Sequence, residues 1–168
     1  NRSSGTDVPG VIRCSAESSE TYEQFDGPIE LYQDSSGGEN FKSSNHINRK
    51  HEVPIRFRGY RLGSEHSERT GERATPVVAI ERGGRHLAVA MEHFWQNFPK
   101  SLEATTESIT LRLFPKQFND VHEIQGGEQK THTFYVAFHE DKVTDEPLAW
   151  CRSPLVIGVD PAWYANSG

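Results

Sequence analysis

Residues 121–132 read VHEIQGGEQKTH and gather the side chains of this chain best suited to moving protons. His122 and His132 are of the type that titrates near neutral pH, where a general base must work. Lys130 can neutralise a carboxylate, and Glu123, Gln125 and Glu128 can accept or donate hydrogen bonds to hydroxyls. If Gly126–Gly127 makes a hairpin turn, Gln125 and Glu128 flank it, and Glu123 and Lys130 come nearly opposite one another. Period-two spacing then puts Glu123 and Gln125 on one face, with Glu128, Lys130 and His132 as a second alternating set. Two readings stay open. One is a polar hairpin end whose Glu123–Lys130 ion pair is worth roughly 0.2–1 kcal/mol. The other is a set of acid–base groups at the rim of a sugar site.

His122, Glu123 and His132 are also acceptable metal ligands. No HExxH spacing accompanies them, the cysteines are distant, and the nearby acid for calcium is Asp120. No metal site or cofactor is therefore expected, with a divalent cation such as calcium left as a minor option.

Three other stretches carry candidate chemistry. In HFWQNFPK (93–100), Phe94, Trp95 and Phe98 offer aromatic faces to a sugar ring, and Gln96, Asn97 and Lys100 could reach its hydroxyls or carboxylate. The plainer role for these rings is core, or the seam against another domain. Arg56, Arg58 and Arg61, with Arg69 and Arg73 after them, present guanidinium forks that match carboxylates. They could equally be solvated residues paired with some of the 24 acidic side chains. The polar loop 34–52 sets Asp34, Asn45 and His46 among small residues, and its Gly37–Gly38 permits close approach of a ligand or another domain. No G-x-S-x-G elbow, P-loop or dinucleotide fingerprint occurs.

The elements that must position these groups are strands. Val53, Ile55 and Phe57 alternate with Arg56 and Arg58 in EVPIRFRGY, and Ile109, Leu111 and Leu113 alternate with polar residues in ESITLRLF. In HTFYVAF the same pattern puts Phe134, Val136 and Phe138 on one face and Tyr135 and Ala137 on the other. GVIRCS, ETYEQF, PIELYQ, TPVVAIE, HLAVAME and PLVIGVD are further strand candidates, and Gly83–Gly84 reads as a two-residue hairpin turn. Helical signal is confined to a turn or two in HFWQNFPKSLEA and one in PAWYA. Long polar loops are expected at 34–52 and 59–75. The fold expected is all-β: one antiparallel β-sandwich domain over 1–168, of roughly nine to eleven strands with little helix.

A chain of 168 residues can bury a core without metals or staples. Its mean hydropathy of −0.70 implies many solvated loops, and its three Trp, five Tyr and nine Phe exclude a disordered chain. A net charge of −6 disfavours nucleic acid or a membrane surface as partner. The two cysteines, Cys14 and Cys151, would close a loop of nearly the whole domain if bridged, worth about 5 kcal/mol in the chain-entropy account. They could as well be two separate thiols. The polar ends, NRSSGTD and ANSG, suggest a piece excised from a larger multidomain protein.

Five stretches, taken in order, carry a resemblance: LYQDSSGGENFKSSNH (31–46), IRFRGYRL (55–62), GERATPVVAI (71–80), MEHFWQNFPKSLE (91–103) and LRLFPKQFNDVHEIQGGEQKTH (111–132). Together they resemble the exo-rhamnogalacturonan lyase family, large carbohydrate-active proteins with a RIFT barrel, a central β-sandwich and an α/α toroid. The likeness spans about residues 30–138 and falls on the central sandwich. It implies an extracellular or periplasmic parent acting by β-elimination on uronate-bearing polysaccharide such as rhamnogalacturonan. That chemistry needs a group to neutralise the uronate carboxylate and a base for the C5 proton. The resemblance assigns no catalytic residue to this chain, whose expected partners are polysaccharide and neighbouring domains. His122, His132 and Lys130 are the weak catalytic candidates. Glu123, Gln125, Glu128, Trp95, Lys100, Arg56 and Arg58 are the substrate-binding ones. Two other readings are an autonomous carbohydrate-binding module and a complete small lyase.

Overall fold

The computed structural model describes residues 9–18, 21–43, 47–115, 122–124, 126–139, 146–152, 158 and 160–167. Ten strands are present: β1 (Val11–Ser15), β2 (Glu23–Phe25), β3 (Ile29–Gln33), β4 (Tyr60–Ser64), β5 (Glu68–Gly71), β6 (Val77–Arg82), β7 (Arg85–Met91), β8 (Lys100–Ala104), β9 (Ile109–Arg112) and β10 (Phe134–Phe138). They form two antiparallel five-stranded sheets, ordered β10-β7-β6-β1-β2 and β5-β4-β3-β8-β9. A 3-10 turn (Ala149–Arg152) and one short helix, α1 (Pro161–Asn166), complete the described elements. The fold is the all-β sandwich that the alternation predicts. Among the described residues no helix is long and apolar enough to cross a membrane.

Alternate side chains of the two sheets meet in one core, where Ile12, Leu31, Tyr60, Val78, Phe94 and Leu102 are almost wholly buried. Each such aliphatic or aromatic side chain contributes roughly 1.5–3 kcal/mol by leaving water. A second apolar layer lies on the other face of the first sheet, where Val77, Ala88 and Ala90 pack under Leu148 and Trp150. Arg152 fastens that cover: its guanidinium donates to Thr75 O (2.6 Å), Ser15 O (2.7 Å) and Ser15 Oγ (3.1 Å). Cys14 and Cys151 are not joined by a disulfide.

Several expectations need correction. EVPIRFRG forms no strand; residues 52–59 run irregularly, and β4 starts at Tyr60. A buried carboxylate explains this, because Asp34 Oδ2 accepts from Arg56 N (2.6 Å) and Phe57 N (2.9 Å) and takes donors that a ladder would have used. The polar stretch expected as a loop at 59–75 is largely the β4–β5 hairpin, whose turn is tied by Ser67 N donating to Ser64 Oγ at 3.1 Å. The helical turn expected in HFWQNFPKSLEA is present at 93–97, where Asn97 N donates to His93 O (3.0 Å), but residues 100–104, at the end of that stretch, pair with β3 as β8. The Gly83–Gly84 hairpin is present, with φ of 58° and 72°. PAWYA does form one helical turn, capped by Asp160. PLVIGVD lies almost entirely outside the described residues.

β10 carries the sharpest surprise. Its phase is the predicted one, but Tyr135 and Ala137 are the packed set. Phe134, Val136 and Phe138 are 50%, 41% and 71% exposed. They share a face with Leu87, Val89 and Met91 of β7, which do reach the core. β10 is an edge strand, so its inner face extends past the cover that the second sheet supplies.

Candidate functional site

The polar stretch 122–132 converges on one end of the sandwich, though not as a hairpin. Gly126 and Gly127 do turn, with Gly127 at φ 85°, but the described residues beside them are not in strands. Glu123 therefore does not face Lys130. It binds Arg49, accepting from its backbone N–H (2.8 Å) and lying 3.3 Å from its guanidinium. Lys130 instead lies 3.8 Å from Glu128. Gln125 falls outside the described residues, as do Asn45, His46 and Asp120.

The centre of the cluster is Lys100, at the first position of β8. That position faces inward opposite Gln33, and the side chain is fully buried. Its ammonium donates to Leu113 O (2.9 Å) and contacts His132 Nδ1. The Phe114 ring sits 5.5 Å from that ammonium, with His122 and His132 ring centroids 4.7 and 5.0 Å from its own. One lysine and two imidazoles thus surround one aromatic ring, with the charge of Lys130 close enough to act on all three. Lys100 does not itself reach solvent, so its part is to hold His132, while Lys130, His122 and His132 form the accessible rim.

Electrostatics follow from this crowding. Burial, and then repulsion from Lys130, push Lys100 from its ordinary 10.5 down to about 8. Burial also lowers both histidines, His122 with help from Lys130 and His132 with help from Lys100. Their imidazoles are consequently neutral at neutral pH, the state in which a ring nitrogen can take a proton.

The lowered lysine has a testable sign. Between about 8 and 10.5 the unfolded chain binds more protons at this position than the folded one, so stability rises with pH across that window. Above pH 10 the trend reverses, because burial raises Tyr22 to about 12 and raises Tyr32 still further. Urea midpoints of the wild type are expected to climb from pH 8 to 10 and then fall. Lys100→Met is expected to flatten the climb and spare the fall.

The remaining candidates separate. Trp95 is half-buried, and the Arg73 guanidinium lies over its ring at 4.6 Å, so that face is already taken. Its neighbour Phe94 is core. Arg56 and Arg58 do not share a strand face. Arg58 is engaged by Gly37 O (2.8 Å) and Glu72 (2.5 Å), whereas Arg56 lies 3.7 Å from Asp34 and over the Tyr32 ring at 5.5 Å. The close approach that Gly37 permits is to the chain's own backbone, since a Cβ there would fall 2.1 Å from Glu72 O. Among the described residues no group of three or more His, Cys, Asp or Glu is placed to hold a metal ion.

Sequence reasoning missed a second constellation, on the outer face of the second sheet. Glu30, Tyr32, Gly63 and Glu103 line a shallow trough there with Phe57 and Arg61. The signal was available in IELYQ, whose alternation puts the large Tyr32 in phase with the exposed Glu30.

No family model matches the chain, and no curated protein or solved structure is significantly similar to it. What fold and site define together is a two-sheet β-sandwich with a lysine–histidine cluster at one end.

Proposed function

We propose that this chain is the accessory β-sandwich domain of a larger polysaccharide lyase-like protein, extracellular or periplasmic, acting on uronate-bearing glycans such as rhamnogalacturonan. The observation that carries the reading is the meeting of Lys100, His122 and His132 around Phe114, with Lys130 close by. Such a rim offers positive charge to a carboxylate beside neutral imidazoles that can bond hydroxyls. The five stretches that resemble the exo-rhamnogalacturonan lyase family add a separate line of support, as does the uncovered apolar face of β10, which suits a neighbouring domain. Lys130, partly exposed at 19%, binds a carboxylate as a point charge, so the contact is salt-sensitive.

The test is calorimetric binding of octagalacturonate to the isolated chain, with absorbance near 235 nm followed in parallel. Binding is expected, weakened about five-fold by Lys130→Ala, with no rise in absorbance. Absence of binding would overturn the reading. A rise would replace the accessory role by that of a complete small lyase, with neutral His132 or His122 as its base.

A further inference from the structure

We propose that the outer face of the second sheet is a binding site for neutral glycan chains, distinct from the lysine–histidine cluster. The argument starts from Gly63. It lies inside β4, opposite Glu30 on β3 and Glu68 on β5. Its φ is not in the left-handed region, and a Cβ built on it would meet nothing nearer than Glu30 O at 4.0 Å. Neither conformation nor crowding therefore demands glycine here. A glycine inside a strand costs roughly 0.5–1 kcal/mol relative to alanine and often marks close approach by a ligand. The space it leaves forms the floor of a trough of about 820 Å³, within the usual size of ligand sites.

The walls supply donors and acceptors in one band. Arg61 stacks on Phe57 at 4.2 Å, Arg56 lies over Tyr32, and the two rings are 6.0 Å apart. Stacking restrains these long side chains before a ligand arrives, which reduces the entropy lost on binding. Glu30 and Glu103 sit directly opposite each other on β3 and β8. Like charges so placed repel; Arg112 relieves Glu103 and Ser101 donates to Glu30 at 3.1 Å. Neighbouring carboxylates and guanidinium forks suit the hydroxyls of a sugar, each of which donates to one and accepts from the other. Glu30, Glu65, Glu68 and Glu103 outnumber Arg56 and Arg61 among the charged residues lining the trough. Arg112, paired with Glu103 beside the trough, offsets one of them; the remaining negative excess disfavours a polyuronate and leaves neutral glycosyl units as the class that fits. The site shares no residue with the cluster and does not depend on the lyase-like reading.

The experiment is a backbone amide NMR titration of the full chain with cellohexaose, xylohexaose and galactohexaose, and with octagalacturonate in parallel. At least one neutral hexaose is expected to shift the Gly63, Arg61 and Glu103 amides saturably. Gly63→Val is expected to weaken that binding at least ten-fold while the thermal midpoint stays or rises, since valine favours strands. Glu30→Gln, which keeps the shape, is expected to weaken it several-fold. Neither variant should alter octagalacturonate binding. Failure of all three hexaoses to shift these amides, or unchanged affinity in both variants, would overturn the proposal. Loss of octagalacturonate binding alone would count only against the accessory-domain reading.

Discussion

Gly59→Ala is expected to abolish cooperative folding or to cost on the order of 4 kcal/mol or more. Gly59 sits at φ +75°, where a side chain already costs about 1–3 kcal/mol. Its Cβ would also fall 1.9 Å from Gly71 O and 2.7 Å from Glu72 Cα. Both are backbone atoms, and Gly71 pairs with Tyr60 as the last rung of β4–β5, so neither can step aside without opening that hairpin. Nor can Gly59 move, because its N–H donates to Ser35 Oγ (2.8 Å) and its carbonyl accepts from Asp34 N (2.9 Å). Gly83→Ala is the control. Gly83 has φ +58° but nothing within 4 Å of its Cβ, so about 1 kcal/mol is expected there. Urea denaturation of the two variants separates crowding from conformation. Similar losses in both would show that backbone conformation, and not the approach of Gly59 to Gly71, sets the cost.

The two variants also mark what alternation can and cannot reveal. Period-two patterning located seven of the strands or their cores because burial on one face is a property of each strand alone. The direction of β10 was not legible in the same way. Phe134, Val136 and Phe138 form the correct face, but whether that face is covered depends on how far the opposite sheet reaches. EVPIRFRG misled for a related reason: its alternation is genuine, and a buried carboxylate twenty-two residues earlier captures its N–H groups. In the candidate site, the residue types of 122–132 were legible, and His122, His132 and Lys130 do come together. The partner at their centre was not, because the sequence alone offers Lys100 as a reach toward sugar hydroxyls or a carboxylate, and only the β3–β8 register turns it inward. IELYQ shows that Glu30 and Tyr32 share a face, but the trough itself depends on two registers: β3–β4 sets Gly63 beside Glu30, and β3–β8 sets Glu30 beside Glu103.

One short run, Gln33-Asp34-Ser35, joins these features, and all three side chains are fully buried. Gln33 bonds the backbone of Ser35, Glu72 and Ala74, and Ser35 holds Gly59. Asp34→Ala is expected to cost about 3 kcal/mol, read as a lowered urea midpoint. The two N–H groups of Arg56 and Phe57 lose a charged acceptor, and bonds of that kind are worth roughly 1.5–3 kcal/mol each when buried, with incomplete additivity. The Arg56 guanidinium adds little, because it is about half exposed and can return to water. Asp34→Asn is expected to cost about half as much, since its carbonyl oxygen can still accept both bonds without the charge. The same substitution weakens the hold on the segment that carries Arg56 and Phe57 along the trough. Under conditions where Asp34→Asn remains folded, neutral glycan binding should therefore weaken while octagalacturonate binding holds. A variant that lost stability but bound the hexaose as the wild type does would show that the trough's wall is set by the sheet alone.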